Sequence, residues 1–260
     1  MNQKILLISG RKQSGKDSTA NYLAGYLLKK YGYINYYELD EDGKLLINYK
    51  FLDPDTGKEV EELASLDFER KDIEYAQHAS QQIWPIIKHE KFGNLLKDIL
   101  ITIFGCNRQE IYGSDDDKNK LSPVKWENIY KLLPHLKPSN KKEKLPEFLT
   151  NRQLMEVFGT DVCRTIFNLC WVEPLFRQIT EQGYPFVVVS DCRNEDEIDY
   201  ARQVGARVVR LTRNPHGGTH QIETALDNYT NFDLVIDNKN MTKEQQGVEL
   251  INWLLSIGWL

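Results

Sequence analysis

Lys4-Ile-Leu-Leu-Ile-Ser-Gly10-Arg-Lys-Gln-Ser-Gly15-Lys16-Asp17-Ser18-Thr19 decides the fold of this chain. An apolar run, Ile5 to Ile8, enters Gly10-x-x-x-x-Gly15-Lys16, and a helix pattern follows with Ala20, Leu23, Ala24, Leu27 and Leu28 on one face. This is a strand, a glycine-rich loop and a helix, the context that a phosphate-binding loop requires. The glycines let backbone N–H groups turn inward around a polyphosphate, and the helix aims its positive end at the same anion. Lys16 supplies a point charge for the β- and γ-phosphates. The expected ATP contacts are Gly10, Ser14, Gly15, Lys16, Asp17, Ser18 and Thr19. One position departs from the common motif: Asp17 stands where Ser or Thr usually binds Mg²⁺. Three readings stay open: Asp17 serves Mg²⁺ itself, directly or through water; Ser18 takes the hydroxyl role; or Asp17 merely caps the helix.

With 260 residues, the chain is long enough for one large α/β domain. Its net charge of −5 gives no sign of a nucleic-acid surface, although a local basic pocket for a nucleotide fits. No apolar run is long enough for a membrane span, and the N-terminus enters a strand without a signal-peptide pattern. A cytoplasmic protein is expected, with no membrane or nucleic-acid partner. Homodimerisation stays an open expectation. Cys106, Cys163, Cys170 and Cys192 form no CxxC pair and no zinc spacing, and so read as reduced thiols.

Outward from the loop, residues 33–82 read as an insertion. Tyr36 to Leu39 and Lys44 to Tyr49 flank Asp40-Glu-Asp-Gly43 as a hairpin. Trp84 to Lys88 reads as a short edge strand and Phe92 to Phe104 as a helix. The Pro- and Lys-rich stretch 115–148 reads as a mobile polar loop. The α/β rhythm returns with a helix from Asn151, capped by Thr150, and with strands at 186–190, 207–211 and 234–236 between helices. The fold expected is a single three-layer α/β domain of the P-loop NTPase type, 1–260. Its parallel sheet is flanked by helices, and insertions form the acceptor and lid regions.

Charged residues fall at the ends of these elements. Asp191 and Arg193 follow the strongest strand, where ligands of parallel sheets sit. Arg152, Arg164 and Arg213 lie at other element ends. Phosphoryl transfer needs several cations to spread charge and little covalent work from the protein. Residues 213–223 are Gly-rich and suit a lid with Arg213, His220 and Glu223.

These residues resemble the bacteriophage-type deoxynucleoside monophosphate kinases. The resemblance is carried by Ser9 to Thr19, Leu96-Lys97-Asp98, Asn151-Arg-Gln-Leu-Met-Glu-Val-Phe-Gly-Thr-Asp161, Trp171-Val172, Asp191-Cys-Arg-Asn-Glu-Asp-Glu197, Thr219-His-Gln-Ile-Glu223 and Asp233 to Asn238. That family also tends to carry Asp after the loop lysine. The motifs span 3–30 and roughly 88–260. The resemblance implies transfer of the γ-phosphoryl of ATP, with Mg²⁺, to a deoxynucleoside monophosphate. It implies catalytic roles for Lys16, Arg152 and Arg193, and an acceptor set of Lys97, Arg152, Arg164, Trp171, Asp191, Arg193 and Glu197, with Trp171 stacking on the base. Two rivals stay open: a related small-molecule kinase, acting on dephospho-coenzyme A or phosphomevalonate, and a nucleotide-binding protein without turnover.

Overall fold

A computed structural model describes residues 3–52, 56–68, 70, 72–138, 146–215 and 224–260. In chain order, β1 (Lys4–Gly10) leads into α1 (Lys16–Lys30), then β2 (Tyr37–Leu39), β3 (Leu45–Leu52), β4 (Glu59–Leu66), α2 (Ile73–Gln82) and β5 (Lys88–Glu90). There follow α3 (Gly93–Phe104), α4 (Arg108–Tyr112), α5 (Asp115–Lys118), β6 (Leu121–Lys125), α6 (Trp126–Leu132), β7 (Phe148–Thr150) and α7 (Asn151–Glu156). The chain returns through α8 (Val172–Gln182), β8 (Phe186–Cys192), α9 (Glu195–Gln203), β9 (Arg207–Leu211), β10 (Leu234–Ile236) and α10 (Lys243–Ser256). It divides into two compact units, 1–91 with 176–260, and 92–175.

The first unit is a three-layer α/β structure. Five parallel strands run in the order β10-β9-β1-β8-β5. β1 is central, pairing Ile5 with Val187 on one side and Leu7 with Val208 on the other. Being covered on both faces, β1 and β8 are continuous apolar runs rather than alternating ones. Leu6, Ile8, Val188 and Val209 from the sheet, Leu23 and Leu27 from α1, and Leu250 and Leu254 from α10 share one core. The parallel register brings the ends of β1, β8 and β5 to the same edge, so Gly10, Cys192 and Glu90 close their strands on the side of the phosphate loop, with Asp191 one residue before the end of β8.

The expected hairpin is present, with Tyr37 opposite Ile47 and Leu39 opposite Leu45. Sequence reasoning missed its third strand: β4 pairs with β3 from Leu52↔Glu59 to Leu45↔Leu66. Glu59, Glu61 and Glu62 break any apolar alternation there, because much of this strand faces solvent. The insertion is fastened to the main core at several places, Tyr75 and Ala79 among them. Leu45 is fully buried in the main core. The β2–β3 turn packs on the start of α1: Asn21 Nδ2 donates to the Gly43 carbonyl at 2.8 Å and Lys243 Nζ to the Asp40 carbonyl at 3.1 Å. The edge strand expected at 84–88 forms later, at Lys88–Glu90, because Ile83 to Ile87 close α2 in a turn.

The second unit packs Leu100, Cys106, Ile111, Leu149, Leu154 and Val157 into its own core. The stretch expected as a loop from 115 carries α5, β6 and α6 in its described part, while the run Asn140 to Lys144 lies outside the described residues. Thr150 caps α7 as expected: its hydroxyl accepts from Gln153 N at 3.1 Å, and Gln153 Oε1 accepts from Thr150 N at 2.9 Å. Beyond α7 the backbone widens into a π-helical segment, Val157–Arg164. All four cysteines are free thiols, as expected. Among the described residues, no helix is long and apolar enough to cross a membrane.

Gly43 has φ +81°, and a Cβ there would lie 1.9 Å from Ser18 Oγ. Gly43→Ala therefore combines left-handed strain with overpacking. It is expected to cost about 1–3 kcal/mol in a denaturant melt. A melt unchanged from wild type would mean that the turn does not rest on α1.

Candidate active site

The loop between β1 and α1 alternates its backbone. Gln13 is left-handed at φ 57° and Gly15 at φ 97°. Such alternation turns successive N–H groups to one side and makes an anion-binding concavity. Gly15 is needed twice over, because a Cβ there would also lie 2.9 Å from Gln246 Nε2. The loop carbonyls are taken up by protein donors. Lys16 Nζ donates to Gly10 O at 2.9 Å and to Arg11 O at 2.7 Å. Thr19 donates to Gly15 O from both its backbone N, at 2.9 Å, and its hydroxyl, at 2.8 Å.

Asp17 opens α1 with its side chain 59% exposed. Ser190, near the end of β8, donates to Asp17 Oδ1 at 2.5 Å, and Lys91 Nζ stands 3.1 Å from the same oxygen. His89 Nε2 lies 2.7 Å from Ser190 Oγ. Ser190 has one hydroxyl proton, which goes to Asp17, so Nε2 of His89 carries the proton of the second bond. A chain His89–Ser190–Asp17–Lys91 thus spans β5, β8 and α1. Protein packed around Asp17 works to raise its pKa. The charges of Lys91 and His89 and the Ser190 hydrogen bond outweigh that and hold it at about 2. Ser18, by contrast, is buried beneath the Gly43 turn.

The remaining expected residues fall in both units. In the first, Arg193 and Asp191 stand half-buried where β8 ends. Glu197 is buried: its Oε2 accepts from Arg193 N at 2.7 Å and Asn194 N at 3.1 Å, closing the cap of α9 and fixing the turn that carries Arg193. Arg213, expected in a lid, donates through Nε and Nη2 to Asn238 O at 3.0 and 2.7 Å, which anchors it beside the end of β10. His220 and Glu223 lie outside the described residues.

In the second unit, Arg152 donates through Nη2 to Asp115 Oδ1 at 2.6 Å and through Nε to Asn119 Oδ1 at 3.2 Å. Lys97 Nζ sits 4.4 Å from the Tyr112 ring centroid. Arg164 ends the π-helical segment. Trp171 is 6% exposed and donates its indole N–H to Gly159 O at 3.0 Å, which makes it a brace for that segment.

Sequence reasoning missed His89, Lys91 and Ser190. The available signal was their place at the ends of two strands, since ligands of parallel sheets gather there. It also missed Asn238 and Gln246, which are buried against the loop.

A family model described as deoxynucleotide monophosphate kinase matches residues 4–246. The deoxynucleotide monophosphate kinase of Escherichia phage RB69 is 24% identical over 265 residues, spanning 93% of this chain and 96% of its own length. That of Enterobacteria phage T4 is 25% identical over 257 residues, spanning 93% of this chain and 95% of its own. The family match runs through 33–82 and 115–148, so the similarity reaches further than the motifs alone.

Asp17 sits at about 2, against 3.8 for an unperturbed carboxylate. Its contribution to stability is therefore complete above about pH 4 and lost as the pH falls towards 2. Lys91→Met removes the leading charge that lowers it. Carboxyl ¹³C NMR of the metal-free protein should then show Asp17 titrating closer to the ordinary range, and an unmoved titration would exclude Lys91 as the cause.

Proposed function

This chain belongs to the deoxynucleotide monophosphate kinase family, and from that premise we propose how its own residues carry out the reaction. The reaction is the ATP-dependent phosphorylation of a deoxynucleoside monophosphate, giving the diphosphate and ADP. Family membership sets aside the rival kinases and the reading without turnover. The observation that carries the assignment of parts is the loop itself: two left-handed residues, outward-held carbonyls and a lysine across its mouth.

ATP lies on Gly10 to Thr19, with the amides of Gly15 and Lys16 on its phosphates and the Lys16 ammonium on the β/γ bridge. The acceptor nucleophile is a phosphate oxygen that is already anionic, so no strong general base is needed. Catalysis is positioning and charge neutralisation. Lys97, Arg152 and Arg164 are the proposed cations of the second unit, and Arg193 is the proposed cation of the first. Arg152 suits a bidentate grip on the acceptor phosphate, its Nη1 edge making neither of the contacts given above. Asp191 orients the sugar or base. Glu197 acts through the Arg193 turn, and Trp171 through the π-helical segment, rather than by touching substrate.

Mg²⁺ fits this chain at Asp17. The contacts of Ser190 and Lys91 both fall on Oδ1, which leaves Oδ2, a hard anionic oxygen, for a cation. Buried Ser18 does not fit. Among the described residues no cluster of three or more His, Cys, Asp or Glu side chains is placed to hold a metal. That suits Mg²⁺, which typically takes one or two carboxylates and completes its shell with waters and substrate phosphates. When bound with ATP it would offset charge on the β- and γ-oxygens. The net charge of −5 agrees with nucleotides rather than nucleic acid as the substrates. We place the activity in the cytoplasm of the host cell.

Coupled ADP release with Mg-ATP and a panel of deoxynucleoside monophosphates tests this reading. Lys16→Ala should abolish turnover while the melt stays cooperative. Arg152→Ala should raise the acceptor KM by about tenfold or more, the scale of a lost charged hydrogen bond, with the ATP KM little changed. An Arg152→Ala enzyme with unaltered acceptor kinetics would remove Arg152 from the acceptor site.

A further inference from the structure

The carbonyls of Ser14 and Gly15 are held from behind by two buried amides outside the loop. Asn238, just beyond β10, is fully buried and donates Nδ2–H to Ser14 O at 2.7 Å. Gln246, on α10, is 1% exposed and donates Nε2–H to Gly15 O at 3.0 Å. The two amides also bond each other, and Gln246 bonds the Thr19 hydroxyl. Asn238 is oriented in turn, its Oδ1 accepting from Arg213 N at 2.8 Å.

In a planar trans peptide the C=O and the following N–H point in opposite directions. Pulling Ser14 O outward therefore turns the Gly15 N–H inward, and pulling Gly15 O outward turns the Lys16 N–H inward. Thr19 shares the second task. Ser14 precedes α1, so its carbonyl lies outside the helix's own bonding.

We propose that Asn238 and Gln246 are positioning residues for the phosphates of ATP: a buried amide clamp that sets the direction of the Gly15 and Lys16 N–H groups. This rests on the reading that the loop binds ATP, and it adds the device that preorganises it. Arg213 joins it as the support that orients Asn238. The clamp touches no substrate atom, so its loss should fall on phosphate binding and leave acceptor recognition alone.

The test is a pair of changes: Asn238→Asp, isosteric, keeping the acceptor for Arg213 N and losing the donor to Ser14 O, and Gln246→Met, which loses the donor to Gly15 O without adding a charge that would itself repel ADP. ADP affinity by calorimetry, the two KM values, and the ¹⁵N–¹H shifts of Gly15 and Lys16 on ADP addition are the readouts. The expected result is about a tenfold loss of ADP affinity, with the acceptor KM within about twofold and a smaller ADP-induced shift at the Gly15 amide. Gln246→Met tests the same clamp at the Lys16 amide, and stands alone if Asn238→Asp does not fold. ADP affinity and amide shifts equal to wild type would overturn the proposal. So would a parallel loss of ADP and acceptor binding, which marks general damage. Wild-type protein that binds no ADP would instead overturn the underlying reading, and the proposal with it.

Discussion

A phosphate loop works only if its carbonyls face away from the anion, and each carbonyl turned away must find a donor. Much of the nucleotide end of this protein is an answer to that demand. Lys16 takes Gly10 O and Arg11 O, the first turn of α1 takes Gly15 O, and Asn238 and Gln246 reach in from beyond β10 and from α10. The parallel sheet makes this feasible, because β9 and β10 run alongside β1 and end at the same edge. Burial makes it strict: fully enclosed amides cannot exchange these bonds for water.

The same edge handles charge. Asp17 replaces the usual hydroxyl residue with a carboxylate, and an unpaired carboxylate facing a polyphosphate would repel it. Lys91 and the Ser190 hydroxyl both meet that charge at Oδ1, and His89 Nε2 holds Ser190 from behind. The second oxygen is left to meet a cation. A charged side chain is thereby made compatible with an anionic ligand. The inserted sheet contributes by enclosing Ser18, so that only one of the two candidate side chains is presented at the loop.

The β1–loop–α1 unit was legible in the sequence because strand, glycines, lysine and helix are consecutive, and so was the alternation of the C-terminal half. β4 and the elements within 115–136 were not, since their residues are polar and half-exposed and their pairing is set by neighbours. The phosphate loop was legible where a motif carries it, from Gly10 to Lys16. The site was not legible where long-range hydrogen bonds carry it. Ser190 meets Asp17 from 173 residues away, Asn238 meets Ser14 from 224, and Gln246 meets Gly15 from 231. The resemblance implied substrate contacts at Glu197 and Trp171, yet both are buried in bonds to nearby backbone, which sequence spacing alone does not reveal.

The γ-phosphoryl group of ATP passes to a deoxynucleoside monophosphate and not to water. Time-resolved ³¹P NMR of enzyme, Mg-ATP and the monophosphate follows both fates at once. The γ-resonance of ATP should decline as the β-resonance of the deoxynucleoside diphosphate grows, with no matching growth of inorganic phosphate. Inorganic phosphate rising in step with ATP loss, with the monophosphate resonance unchanged, would contradict it.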